Sequence, residues 1–200
     1  MARWSSQIPT WTPAAIANTT NLTNTNYHGF QGGTSTQRVN ILEVYMGGQA
    51  GASSPTIMAL ARNSGAGGTP TAGNATFAAF DASTAALGTN PVSYQLTTTP
   101  PQRSSTLWLL NLSFNAFGGI VRWVAAPGEE IGILGNAATG GDVSLSAFTG
   151  GTPGLMGSHM IVEPFVSRGD CGGHAARSDW LYEMVGMLPD STISEVDEIY

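Results

Sequence analysis

Apolar and polar residues alternate strictly along Leu110-Asn-Leu-Ser-Phe-Asn115. That period of two is the signature of a strand with one face buried. Gly118-Gly119 supplies a turn, and Ile120-Val-Arg-Trp-Val-Ala125 returns with Val121, Trp123 and Ala125 on one face. Pro127-Gly128 makes the next turn, followed by Glu130-Ile-Gly-Ile-Leu134. Asp142-Val-Ser-Leu-Ser-Ala-Phe148 alternates again, and His159-Met-Ile-Val-Glu-Pro-Phe-Val166 closes the series. Upstream, Val39 to Met46 reads as a strand ending at Gly47-Gly48, and Thr56 to Arg62 as a second. Residues 63–74 read as a long loop and Pro91 to Leu96 as a further strand. Residues 75–90 fit two patterns. Phe77, Phe80, Thr84 and Leu87 share a helical face, but Asp81-Ala-Ser-Thr and Gly88 suit a crossing loop equally well. Short strands at this spacing, parted by Gly and Pro turns, predict an all-β sandwich over residues 39–166. The long loops between 47 and 105 favour a jelly-roll-like arrangement.

The two ends depart from this pattern. Residues 1–38 are rich in Asn, Thr and Ser, and Pro9 and Pro13 favour extended backbone. Trp4, Trp11, Ile16 and Leu22 are scattered there without period, yet a disordered linker rarely carries two tryptophans. The segment therefore reads as an extended N-terminal arm that docks its apolar side chains on a surface, its own or a neighbour's. Its removal is expected to leave a folded core. Residues 167–200 open on a flexible joint, Arg168 to His174. Leu181, Met184, Val185 and Leu188 then recur at helical spacing, and Pro189 stops the helix. This short helical, acidic C-terminal tail is too small to fold alone.

Composition narrows the function. Of 200 residues only 20 are charged, 7 basic and 13 acidic, and none is lysine. Gly, Ser, Thr and Asn together make 77 residues. Ordinary domains carry about 25% charged residues. A polar but weakly charged surface costs little to desolvate, which suits permanent burial among other subunits. The net charge of −6 sits mostly in the tail: residues 168–200 hold two Arg and seven acids. With no Lys/Arg cluster, nucleic acid is not expected as a partner. No apolar run nears the roughly 20 residues that span a bilayer, and no leader-like segment opens the chain, so neither membrane nor export is expected.

Candidate chemistry is sparse. Cys171 and His174 form a C-x-x-H pair beside Asp170, but zinc needs about four ligands and only His159 is at all near in sequence. Neither a metal nor another cofactor is expected. Arg168-Gly-Asp170 is a three-residue match of a kind that arises by chance. Glu129, Glu130 and Glu163 could supply a carboxylate pair, but neighbours on a strand face opposite ways, and Glu129 fits a turn or a pairing with Arg122 better. No hydrolase, phosphate-loop or dinucleotide signature is present. Trp108 and Trp123 could stack on sugar rings, although core or subunit-interface positions suit them better.

The stretch from Asn111 to Glu129, continued by Ser144 to Gly154, resembles small structural proteins of tailed bacteriophage heads, among them capsid decoration (cement) and head-fibre-like proteins. The resemblance spans about residues 39–166. It implies a non-enzymatic, jelly-roll-like homotrimer on the outer capsid surface of the virion, made in the host cytoplasm, that clamps neighbouring copies of the major capsid protein. The expected contact residues are Trp4, Trp11, Ile16 and Leu22 in the arm and Trp180, Leu181, Met184 and Leu188 in the tail. The rival expectation is a carbohydrate-binding or receptor-binding β-module, with a cupin-like metal enzyme or a hydrolase behind it.

Overall fold

Thirteen strands and no helix make up the described part of a computed structural model of the chain. Residues 2–32, 38–64, 69–84, 91–134 and 141–164 are described. All lie in the first of two compact units, Met1–Phe165; the second, Val166–Tyr200, is outside them. The strands are β1 (Trp4–Trp11), β2 (Tyr27–Gln31), β3 (Arg38–Gly48), β4 (Thr56–Asn63), β5 (Pro70–Thr71), β6 (Thr76–Ala79), β7 (Val92–Tyr94), β8 (Leu96–Thr97), β9 (Arg103–Phe114), β10 (Val121–Val124), β11 (Ile131–Leu134), β12 (Asp142–Gly150) and β13 (Met156–Pro164).

They form two antiparallel sheets that enclose one core. The first sheet runs β10-β3-β13-β1-β6, with β11 pairing the opening residues of β3. The second runs β7-β2-β12-β4-β9. Alternation decides what each strand buries. On β13, Met156, Ser158, Met160 and Val162 are buried while the residues between them are half-buried. Val143, Leu145 and Ala147 of β12 meet Val44, Met46, Met160 and Val162 across the interior. The all-β expectation holds for every described residue, and the two-residue β5 and β8 form a small ribbon beside the sandwich.

The N-terminal segment differs from the expectation. Residues 4–11 are an interior strand, held between β13 and β6. Trp4 and Trp11 are core residues, at 5% and 3% exposure. β2 is likewise interior, between β7 and β12. The sandwich therefore begins at the first strand, and the boundary drawn at residue 38 is withdrawn. Removing residues 1–38 would take an interior strand from each sheet. Within residues 75–84, Thr76–Ala79 pair with β1 as a strand and 81–84 make a turn; residues 85–90, Leu87 among them, lie outside the described residues.

Inside the sandwich, His28 links the sheets. Its Nδ1 lies 2.8 Å from Ser158 Oγ, and its Nε2 lies 2.9 Å from Ser6 Oγ and 3.3 Å from Ser93 Oγ. Trp11 Nε1 donates to Ser158 Oγ at 3.0 Å, and Ser6 Oγ donates to Ser93 Oγ at 2.9 Å. Ser6 spends its hydroxyl proton on Ser93 and can only accept from Nε2, which leaves Nδ1 to accept from the Ser158 hydroxyl. The pattern thus assigns the Nε2–H tautomer of a neutral ring. Burial without a carboxylate partner drives the imidazole pKa down to about 3, and His159 adds to the effect.

The outer face of the second sheet is covered by the chain itself. Ser144 and Ser146 point away from the core yet are fully buried. Tyr94 lies over Gly29, where any Cβ would collide with its ring at 2.3 Å, and donates to Asp142 Oδ2 at 2.6 Å. Leu22, Tyr27 and Tyr94 form a second, smaller apolar cluster with Ile16 and Val92 packed on it. Arg103 fastens this cover. Its guanidinium donates to the carbonyl of Ile16, to Asn18 Oδ1 and to Ser146 Oγ. Desolvation lowers its pKa to about 10.

Two predictions follow from these buried groups. Between pH 6.5 and 3 the unfolded chain takes up a proton that folded His28 refuses, so stability falls as pH falls, by up to about 1.4 kcal/mol per pH unit. In His28→Gln the loss of melting temperature between pH 6.5 and 5 should shrink by at least half; an unchanged loss would remove His28 as its source. Arg103→Leu strands the Ile16 carbonyl and should cost about 3 kcal/mol in urea unfolding, with faster amide exchange over residues 14–22. Unaltered exchange there would show that Arg103 does not hold the cover.

Candidate interaction face

The outer face of the first sheet is where charged and aromatic side chains gather among the described residues. Alternation again places them. On β3, β10 and β13 the outward positions are Glu43, Tyr45 and Gly47; Arg122 and Val124; and Gly157, His159, Ile161 and Glu163. β1 adds Ser5 and Gln7. Register sets Tyr45 beside both Arg122 and His159.

The result is a row of planar groups across the sheet. The Arg122 guanidinium lies 5.1 Å from the Tyr45 ring centre. Tyr45 stacks on His159 at 5.6 Å, and His159 stacks on Phe80 at 6.1 Å. Glu43 ties the first end: Tyr45 Oη donates to Glu43 Oε2 at 2.6 Å, and Arg122 Nη2 and Nε donate to the same oxygen at 2.6 and 3.0 Å. The Tyr45 hydroxyl, with Arg122 behind it, holds the Glu43 carboxyl below the usual range. The same carboxylate raises the pKa of both Tyr45 and Arg122. Partial burial lowers that of His159, against the pull of Glu43. Arg122 therefore pairs with Glu43 across strands and not with Glu129. The turn at Pro127-Gly128 is instead closed by Glu129 N–H on the Ala126 carbonyl and by Gly128 N–H on the Glu130 carboxylate.

Ser5 Oγ lies 2.9 Å from His159 Nε2, the contact a nucleophilic hydrolase begins from. The contact extends no further toward a triad among the described residues, because the Glu43 carboxylate is held by Tyr45 and Arg122. No group of three or more potential metal ligands gathers among the described residues.

Beside the row the face turns apolar. Two adjoining shallow grooves, of about 280 and 300 Å³, share Pro9, Gly47, Ile120 and Gly157 as lining. Ile120 stands over Gly47 and is 78% exposed; Phe117, at 60%, and Leu155 are exposed at the same end. The groove floor is glycine for a physical reason. Pro9 interrupts the β1–β13 ladder, and its carbonyl sits 2.8 Å from where a Cβ on residue 157 would stand.

Of the contact residues expected from sequence, the structure buries three and half-buries a fourth. Trp4 and Trp11 lie between the sheets, Leu22 is buried on Tyr27 and Tyr94, and Ile16 is half-buried under the Arg103 latch. They are withdrawn as anchors for another protein, because their apolar surface is spent on their own chain. Trp180, Leu181, Met184 and Leu188 lie outside the described residues, as do Cys171, His174 and the Arg168-Gly-Asp170 tripeptide. Trp123 packs half-buried on the core, and Trp108 meets Phe148 edge-on at 4.6 Å, so neither offers a free ring. The residues that shape this face, Tyr45 and His159 half-buried and Phe80 and Ile120 exposed, are not among the contact residues expected from sequence. Comparison with known proteins adds no relative: no family model, no curated protein and no solved structure matches the chain.

The glycine floor yields a prediction. Gly157→Ala drives a methyl group into the Pro9 carbonyl and should cost about 1–3 kcal/mol of stability by thermal or urea unfolding. A variant as stable as the parent would show that the bulge at Pro9 yields freely.

Proposed function

We propose that this chain is a non-enzymatic virion structural protein, a jelly-roll-like homotrimer that decorates a tailed-phage capsid. One observation carries the reading: the two outer faces are treated unequally. The chain covers the second sheet with its own residues 12–26, yet leaves the first sheet open, with Ile120 standing almost fully in water beside a glycine-floored groove. Exposed apolar patches bordered by polar groups are what subunit contacts are made of. The low charge of the chain as a whole, 20 of 200 residues, supports the same reading, since a weakly charged surface loses little solvation when buried. In this proposal the open face joins the three copies. The tail, through Trp180, Leu181, Met184 and Leu188, contacts neighbouring copies of the major capsid protein. A lattice-bound trimer then stabilises the shell by mass action and multiplies weak contacts.

Light scattering on the 200-residue protein should give a mass three times the chain's 20.7 kDa. Ile120→Asp should reduce it to that of one chain without loss of the fold, because the side chain takes no part in the core. The trimer should pellet with expanded shells of the major capsid protein from the same genome and stay in solution without them. A parent protein of single-chain mass, or one that ignores the shells, overturns the proposal.

A further inference from the structure

We propose that the cavity beside Phe80 is a binding site for the ring of a neutral sugar. Its volume is about 510 Å³, within the range of small-molecule sites, and Ala2, Arg3, Phe80, Asp81, Thr84 and Ile161 line it. The planar row across the sheet ends here. Phe80 stacks on His159 on one side and remains 57% exposed, so it offers an aromatic surface braced by Tyr45 and Arg122 behind it. A flat apolar face of that kind takes the C–H side of a pyranose ring.

The polar groups suit hydroxyls. Ser83 donates both its backbone N–H and its hydroxyl to Asp81 Oδ1, which orients the carboxylate and leaves Oδ2 without a hydrogen bond among the described residues. Those two bonds also keep Asp81 ionised, as an acceptor. Arg3 is half-exposed and reaches Glu163 only through Nε at 3.9 Å. Its fork can donate to vicinal hydroxyls, and Thr84 can do either. An acceptor and a donor beside a ring surface match a polyol better than an anion, which Asp81 would repel. The cavity shares no lining residue with the Ile120 grooves, so sugar binding and trimer mass are read out separately.

Saturation-transfer NMR on the full-length protein tests it. The probes are methyl α-glucopyranoside, methyl α-mannopyranoside, methyl β-galactopyranoside, N-acetylglucosamine and glucuronate, each at about ten times a millimolar dissociation constant. At least one neutral probe should receive saturation at its ring C–H protons. Phe80→Ala should weaken that binding about tenfold, Phe80→Trp should preserve it, and Asp81→Asn should weaken it without changing the melting temperature. Silence from all neutral probes, binding of glucuronate alone, or transfer indifferent to Phe80→Ala would each overturn the proposal.

Discussion

A neutral imidazole sealed between two sheets constrains everything around it. His28 is fully buried, so each ring nitrogen must find its partner in the protein. Those partners come from β1, β7 and β13, and Trp11 completes the chain of donors through Ser158. β1 must therefore lie inside the first sheet, in register with β13, for the second sheet to close over it. An N-terminal segment rich in serine is thereby committed to the core, and its tryptophans with it.

That commitment gives the molecule two unlike sides. The chain between β1 and β2 folds back over the second sheet, where Arg103 meets carbonyl, amide and hydroxyl oxygens from the cover and from β12. The tyrosine, asparagine and aspartate that share this layer satisfy one another, as in the bonds from Asn63 and Tyr94 to Asp142. The first sheet receives no such cover among the described residues. Its outer face keeps Glu43, Arg122, Tyr45 and His159 bonded or stacked, and leaves Ile120 and Phe80 exposed. In our proposals, assembly takes place at one end of this surface and a small polar ligand binds at the other.

Much of the fold was legible because half-buried strands announce themselves. Leu110 to Phe114 and Asp142 to Ala147 alternate cleanly, and each lies in a strand. β1 hid for a specific reason: Ser6, at an inward position between Trp4 and Ile8, is polar, and the partners that make that position tolerable, His28 and Ser93, lie far along the chain. Arg103 is just as silent in the sequence, since a cation facing a buried layer has no local signal. The face itself was the least legible part. Tyr45, Phe80 and His159 come from separate strands and loops, and the Arg122–Glu43 pair spans 79 positions, so no window of sequence contains the row. Glu129, nearer in sequence, looked the better partner for Arg122 only because distance along the chain was all there was to judge by.

Hydrogen–deuterium exchange of the full chain addresses the central claim, that the first strand is part of the core. The amides of residues 5–8 should exchange as slowly as those of Ser158 to Ile161, their partners across the ladder. Exchange of residues 5–8 within seconds, while β13 stays protected, would mean an N-terminal arm free of the sandwich and would contradict this account.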